Sequence, residues 1–156
     1  MKTPLFLRPF ALATAVVALC AGCAKSDPAT KPRPAAAGLS ARQVATVTIY
    51  QPNYGDSSLD LSPTVALNGE DLVTLHDGKV FTVRLAPGTY KFEIDGEGAG
   101  ELRSTAGEHY YFVSAAKPGN FTPTPVLGLV SPRQGREQIQ GLAPVDRSDV
   151  NNENFR

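Results

Sequence analysis

The chain has 156 residues, and its 15 Lys and Arg side chains balance 15 Asp and Glu, so the formal net charge is zero. A balanced charge lacks the basic footprint of a nucleic-acid-binding protein, and we expect no nucleic-acid partner. Both cysteines, Cys20 and Cys23, lie near the N-terminus, so no disulfide is expected within the domain that follows. A packed core of about 100 residues must therefore supply the stability of that domain.

Residues 1 to 22 are predicted to form a cleaved signal peptide. Lys2 and Arg8 lie in its first part, and an uncharged run rich in Ala, Val and Leu follows them. This run is shorter than the roughly 20 consecutive apolar residues of a membrane-spanning helix, and it ends in small residues, as cleaved signals do. We therefore expect the rest of the chain to be exported.

The end of the signal predicts a lipid anchor on Cys23. The residues from Leu19 to Cys23 resemble a bacterial lipoprotein processing site, so cleavage after Gly22 would leave an acylated N-terminal cysteine. Each buried CH₂ of such an anchor contributes about 0.8 kcal/mol to membrane binding. Ala24, where an enterobacterial inner-membrane lipoprotein carries Asp, favours the outer membrane and its periplasmic side. Ordinary signal-peptidase cleavage with an unmodified cysteine stays an alternative, because Cys20 occupies the usual Leu position.

Residues 23 to 42 are expected to be a flexible membrane tether. Ala, Pro, Lys and Ser predominate in this segment, and no large apolar side chain occurs before Leu39. A flexible coil of roughly 20 residues spans about 25 Å on average. The domain could therefore stand clear of the lipid headgroups.

Alternating apolar residues and turn signals predict a series of short strands between residues 43 and 145. The predicted strands are Val44–Tyr50, Thr64–Leu67, Leu72–Leu75, Val80–Leu85, Thr89–Asp95, Glu101–Ser104 and His109–Ala115. Asn68-Gly69 is a strong hairpin signal, and Pro87-Gly88 is a second turn. A loop of about a dozen residues, Gln51–Pro63, has the length of many functional loops. This spacing predicts a mainly β protein, an antiparallel β-sandwich of about seven or eight strands.

One short helix is predicted near the C-terminus, over Pro132–Gln140. Ser131 is its expected N-cap and Gly141 follows its end. Gly135 inside the helix costs about 1 kcal/mol relative to Ala. The polar tail, residues 146 to 156, is expected to be disordered.

Four motifs follow one another in an order that resembles a bacterial lipoprotein family. They are Ile49-Tyr50-Gln51-Pro52, Ser62-Pro63-Thr64-Val65-Ala66-Leu67-Asn68-Gly69, Leu85-Ala86-Pro87-Gly88-Thr89-Tyr90 and Ala106-Gly107-Glu108-His109-Tyr110-Tyr111-Phe112-Val113. The family is called Domain of Unknown Function two-eight-four-six, and the resemblance covers about residues 44 to 113. The Pro-Gly hairpin is also similar to the small surface β domains called PEGA. Both resemblances imply a β-sandwich, and neither supplies a catalytic residue.

The sequence contains no recognisable catalytic or metal-binding pattern, so no enzyme and no cofactor are expected. His76 and His109 could together bind a metal, but no paired ligand spacing in the sequence supports such a site. Each is more simply explained as an exposed or edge histidine. Gly96 to Gly100 superficially suggests a phosphate-binding loop, but acidic residues flank it and no Lys-Ser or Lys-Thr follows. A flexible hairpin is the favoured interpretation of that segment.

Aromatic side chains are the remaining candidates for recognition. Tyr50 and Tyr54 lie at and after a strand end, beside the long loop. Tyr110 and Tyr111 point to opposite faces of one strand, so we expect one ring in the core and the other exposed. Most aromatic rings are expected in the core, and Tyr50, Tyr54 and Tyr111 are the candidates for a binding patch.

The sequence as a whole favours a lipid-anchored protein of the bacterial cell envelope. Its β-sandwich would be a non-enzymatic binding or structural module that meets another envelope protein through loops or an edge strand. A periplasmic inhibitor or immunity lipoprotein is an alternative, and a cell-wall hydrolase is a weaker one, because no catalytic constellation is recognisable.

Overall fold

The computed structural model describes residues 40–55, 61–118 and 123–155. The predicted signal peptide, the proposed anchor Cys23 and the tether up to Leu39 lie outside the described residues. The strands are β1 (Ala45–Tyr50), β2 (Thr64–Leu67), β3 (Glu70–Thr74), β4 (Lys79–Leu85), β5 (Gly88–Ile94), β6 (Glu97–Ser104), β7 (His109–Lys117), β8 (Thr124–Val130) and β9 (Ala143–Pro144). The helix α1 spans Pro132–Gln138, and two 3-10 turns follow at Arg147–Asp149 and Glu153–Phe155.

These strands form two sheets that pack face to face, which confirms the predicted mainly β sandwich. The first sheet has the order β8-β7-β1-β4-β9, and the second has the order β3-β2-β5-β6. Most neighbouring strands are antiparallel, but β1 pairs with β7 and β4 pairs with β9 in parallel. The first sheet is therefore mixed, whereas the sequence led us to expect antiparallel pairing throughout.

The core lies between the two sheets and is built from alternate residues of each strand. Val47 and Ile49 of β1 face Val65 and the other apolar residues of the second sheet, and all three are fully buried. Phe92 of β5 and Phe112 of β7 join the sheets directly, with ring centroids 4.7 Å apart. Complete burial of such side chains contributes about 1.5–3 kcal/mol each, so this cluster dominates the stability of the sandwich.

Two tight hairpin turns use backbone conformations that favour Gly and Asn or Asp. At Asn68-Gly69 both φ angles are positive, 52° and 80°, which confirms the predicted turn between β2 and β3. At Asp95 and Gly96 they are 47° and 81°. The segment from Gly96 to Gly100, expected to be a flexible hairpin, is therefore a tight turn followed by the start of β6.

Three further differences from the sequence predictions lie at the ends of the domain. Strand β8 was not predicted, and it pairs with β7 along its whole length. Residues 40–42, placed in the tether, are part of the described structure, and the Ser40 carbonyl accepts the Gln43 N–H at 2.9 Å. The helix is confirmed, with Ser131 Oγ accepting the N–H of Gln134 at 3.3 Å, although it ends at Gln138.

The C-terminal tail is ordered up to Phe155, so the prediction of a disordered segment from residue 146 is wrong. Val150 is buried and forms an isolated bridge with Val73 of β3. The N–H groups of Asn151 and Asn152 both donate to the carbonyl of Leu72. The tail holds its place because it buries apolar side chains and satisfies the backbone of edge strand β3.

Candidate functional site

Helix α1 lies on the outer face of the first sheet, against β7. A Cβ added at Gly135 would lie well under 3.0 Å from three atoms of Tyr111, so only glycine allows the helix backbone to approach this ring. Tyr111 is consequently 2% exposed. The sandwich therefore has a third layer on one side, and the face expected to carry exposed aromatic rings is covered.

Tyr50 is also buried beneath α1, on the same face of the sheet. It is fully inaccessible to solvent, and its hydroxyl donates to Oε1 of Gln138 at the end of the helix. Burial, together with the nearby Tyr54 phenol, raises the pKa of Tyr50. Tyr50 and Tyr111 are therefore packing residues, and the prediction that they form an exposed binding patch is wrong.

Tyr54, the third candidate, is 36% exposed but is held in place at both ends. Its N–H donates to the Asp77 carboxylate at 3.0 Å, and its hydroxyl donates to the Ser114 carbonyl at 3.3 Å. Burial of the ring is the main reason that the pKa of the Tyr54 hydroxyl is raised. Tyr110 does not supply a further exposed ring, because it is half-buried against the core. Of the three aromatic rings predicted to form a binding patch, Tyr54 alone is exposed, and hydrogen bonds hold it in place.

The loop after β1 begins with a buried polar residue. Gln51 is 1% exposed, and its Nε2 donates to the Leu61 carbonyl at 2.8 Å. Ser114 Oγ donates to Oε1 of Gln51 at 3.5 Å. Buried amides require such partners, and Gln51 links the start of the predicted functional loop to Leu61 near its end. Residues 56–60 of this loop lie outside the described part.

His109 belongs to a polar cluster on the outer face of the first sheet. Its Nε2 lies 2.8 Å from Thr48 Oγ1, which is in turn 3.0 Å from Thr82 Oγ1. Its ring stacks on Tyr111 with centroids 4.3 Å apart and an interplanar angle of 17°. Burial first, and then the positive charge of Arg136, lower the pKa of His109. The imidazole is therefore neutral at pH 7.

The other histidine, His76, lies beside the C-terminal tail and has different partners. Its Nδ1 is 3.0 Å from Ser62 Oγ, and its Nε2 is 3.7 Å from an Asp149 carboxylate oxygen. The structure gives no contact between His76 and His109. Within residues 40–55, 61–118 and 123–155, no three His, Cys, Asp or Glu side chains are grouped so that they could hold a metal ion.

The two sides of the sandwich differ in whether another segment covers their edge strands. On one side, the tail joins β9 and β3, and a shallow groove of about 410 Å³ lies along this seam between β4 and the tail. On the other side lie the edge strands β8 and β6, and no described segment pairs with their outer edges. The second side is therefore the open side of the sandwich.

Strand β8 has little of the protection that edge strands usually carry. Its seven residues carry no charge, whereas β6 carries Glu97, Glu101 and Arg103. Leu129 on β8 is 57% exposed, although most large apolar side chains of the described residues are buried. Edge strands are usually protected by charges, proline or coverage, and β8 has only Pro125 among these, so the uncharged stretch from Val126 to Val130 is the part of the open side best suited to pairing with another chain. Sequence reasoning missed it, and the uncharged run from Thr124 to Val130 was the available signal.

Comparison of the chain with protein-family models, with curated proteins and with solved structures finds no match. Among the residues that the structure describes, no helix has the length and apolar character needed to cross a membrane. The fold therefore defines a helix-covered β-sandwich with one open side.

Proposed function

We propose that the protein is a lipid-anchored module of the bacterial cell envelope, held to the outer membrane on its periplasmic side. The proposal is supported by the export segment of residues 1 to 22 and by Cys23 directly after Gly22. The segment between Cys23 and Ser40 gives the domain reach from the membrane surface. The module binds or supports another envelope protein and performs no catalysis.

The binding surface of this module is the free edge of β8. The observation that carries this assignment is an uncharged seven-residue edge strand with Leu129 largely exposed, on the open side of the sandwich. An extended segment of a partner protein would add to this edge as a further strand, with backbone hydrogen bonds giving affinity. Apolar side chains on that segment would cover Leu129.

The anchor is tested by metabolic labelling with a palmitate analogue and by membrane fractionation. Wild-type protein should incorporate the label and sediment with outer membranes. The Cys23→Ala variant should lose both properties and keep the thermal stability of the folded domain. Unlabelled wild-type protein would contradict the anchor and favour ordinary signal-peptidase cleavage.

The binding edge is tested by in-cell crosslinking with matched edge variants. Leu129→Lys places a charge on β8 at an exposed position, so it should abolish crosslinking to the partner without unfolding the domain. Glu101→Lys places the same side chain on the other open edge and should leave the crosslink intact. Equal crosslinking by both variants, or no reproducible partner for wild type, contradicts the proposal.

A further inference from the structure

Three residues form a row across the outer face of the first sheet. Arg84 of β4 lies opposite Thr46 of β1, and Thr46 lies opposite His109 of β7. Neighbouring strands of a sheet lie about 4.7–4.9 Å apart, and residues paired across them point to the same face. Arg84 and His109 therefore stand about 10 Å apart on one surface, with the Thr46 side chain between them.

A second row of hydroxyl groups runs beside the first. Thr82 lies opposite Thr48, and Thr48 lies opposite Tyr111 on the same face. Thr82 is exposed, so its hydroxyl can bond a ligand while it also contacts Thr48 Oγ1. Thr48 and Tyr111 are buried, so the surface next to Arg84 offers the Thr82 hydroxyl in addition to a guanidinium group.

Helix α1 adds a second guanidinium to this surface. Gly135 rests on Tyr111, whose ring stacks on His109, and Arg136 is the next residue of the helix. The electrostatic effect of Arg136 on His109 agrees with this placement. Arg136 and Arg84 are both exposed, so both side chains can turn toward a ligand above Thr46.

Neither of these arginines has an acidic partner among the described residues. Three other basic side chains do have one: Lys79 pairs with Asp146, Lys91 with Glu93 and Arg133 with Glu137. Glu137, the acidic neighbour of Arg136 in the helix, is therefore engaged by Arg133 at 3.0 Å. Glu108, next to His109, is exposed and contacts Thr46 through its backbone carbonyl. Neither guanidinium group is therefore paired with a carboxylate of the part of the chain that the structure describes.

We propose that Arg84, Arg136, Thr46 and Thr82 bind the phosphate group of a ligand on the outer face of the first sheet, beside His109. Guanidinium groups form paired, charge-assisted hydrogen bonds with phosphate oxygens, and the two threonine hydroxyls add neutral partners. Both ring nitrogens of His109 already have partners, Thr48 Oγ1 at 2.8 Å and the Tyr111 hydroxyl at 3.2 Å, so the imidazole borders the site. The phosphate group belongs either to a small soluble molecule or to a phospholipid headgroup. The site is independent of the proposed β8 edge, which lies at the margin of the same sheet.

Inorganic phosphate is the first probe, with the His109 ring followed by NMR on the purified full chain. Phosphate should shift the His109 signals with saturation and raise the pKa of its imidazole, because a bound anion stabilises the charged form. Arg84→Gln and Arg136→Gln should each weaken binding roughly tenfold, as expected for loss of a charged hydrogen bond. Arg103→Gln, at an exposed position on β6, is the matched control and should leave binding unchanged.

The source of the phosphate group is distinguished by sedimentation with phosphatidylglycerol vesicles, using the Cys23→Ala form so that the anchor does not contribute. Vesicle binding that is lost in Arg84→Gln and Arg136→Gln identifies a headgroup, and saturable phosphate binding without vesicle binding identifies a soluble ligand. The proposal is overturned if neither probe binds. It is equally overturned if Arg103→Gln weakens binding as much as the site variants, since that result indicates unspecific charge attraction.

Discussion

Gly135 of the helix and Tyr111 of β7 form the contact that fixes the third layer of this protein. The backbone at position 135 lies directly against the ring, with no room for a Cβ atom. This contact explains why a residue that weakens an isolated helix occurs in the middle of α1. Helix propensity favours Ala over Gly by about 1 kcal/mol, whereas packing at this position requires Gly.

Gly135→Ala is therefore expected to destabilise the protein, although it improves helix propensity. Overpacking a tight contact typically costs about 1–3 kcal/mol, and a Cβ at this position must displace the Tyr111 ring or the whole helix. We expect a net loss of roughly 2 kcal/mol in the free energy of unfolding, measured by urea denaturation. Gly98→Ala is the control, because a Cβ there meets nothing within 4 Å. Equal stability of Gly135→Ala and wild type would show that α1 does not pack on Tyr111 in solution.

Val150→Ala tests whether the C-terminal tail is part of the folded domain. Val150 is 6% exposed within the main core cluster, so removal of two methyl groups should cost roughly 2 kcal/mol of unfolding free energy. Asn154→Ala changes an exposed residue of the same tail and should have almost no effect. If the tail were disordered, Val150→Ala and Asn154→Ala would both leave the free energy of unfolding unchanged in denaturant titrations.

The sandwich could be predicted because its strands repeat a period of two residues. In β4 and β5, buried and more exposed side chains alternate as the sequence indicates, with Phe81, Val83 and Leu85 inside. Asn68-Gly69 marked a hairpin because its turn demands positive φ. In both cases the residues that determine the structure are neighbours in the sequence, so the sequence alone is sufficient to predict it.

The covered outer face could not be predicted, because its cause lies far away in the chain. Thr48 and Tyr50 alternate with core residues and therefore resembled a solvent-facing side of β1. Helix α1, which covers Tyr50, begins more than 80 residues later, and only its contacts with Tyr50 and Tyr111 show where it packs. Strand β8 was obscured by Pro125 and Gly128, which are unfavourable inside strands. The tail contains Val150 and Phe155, but its polar composition concealed these apolar anchors.

Gln51→Ala is expected to destabilise the domain, in contrast to changes at exposed positions of the same loop. The substitution leaves the Leu61 carbonyl and Ser114 Oγ without their partner in a buried environment. A lost buried hydrogen bond of this kind costs roughly 1–3 kcal/mol. Thermal unfolding should show a lower midpoint for Gln51→Ala than for Asn53→Ala, whose exposed side chain accepts the N–H of Gly55. The reverse order of midpoints would contradict a structural role for Gln51.

The lowered pKa of His109 predicts that acid destabilises the protein through this residue. In the unfolded chain His109 has its ordinary pKa of 6.5, whereas burial and Arg136 hold it lower in the folded protein. Between these two pKa values the unfolded state binds more protons, so the contribution of His109 to stability is complete above about pH 6.5 and is lost as the pH falls.

His109→Gln removes the titrating group and keeps a hydrogen-bonding side chain. Urea denaturation between pH 5 and pH 8 should therefore give a flatter pH dependence for His109→Gln than for wild type. His76→Gln, at a half-exposed position, serves as the control for removal of a histidine, and an unchanged slope in His109→Gln would show that its imidazole is not buried as the fold requires.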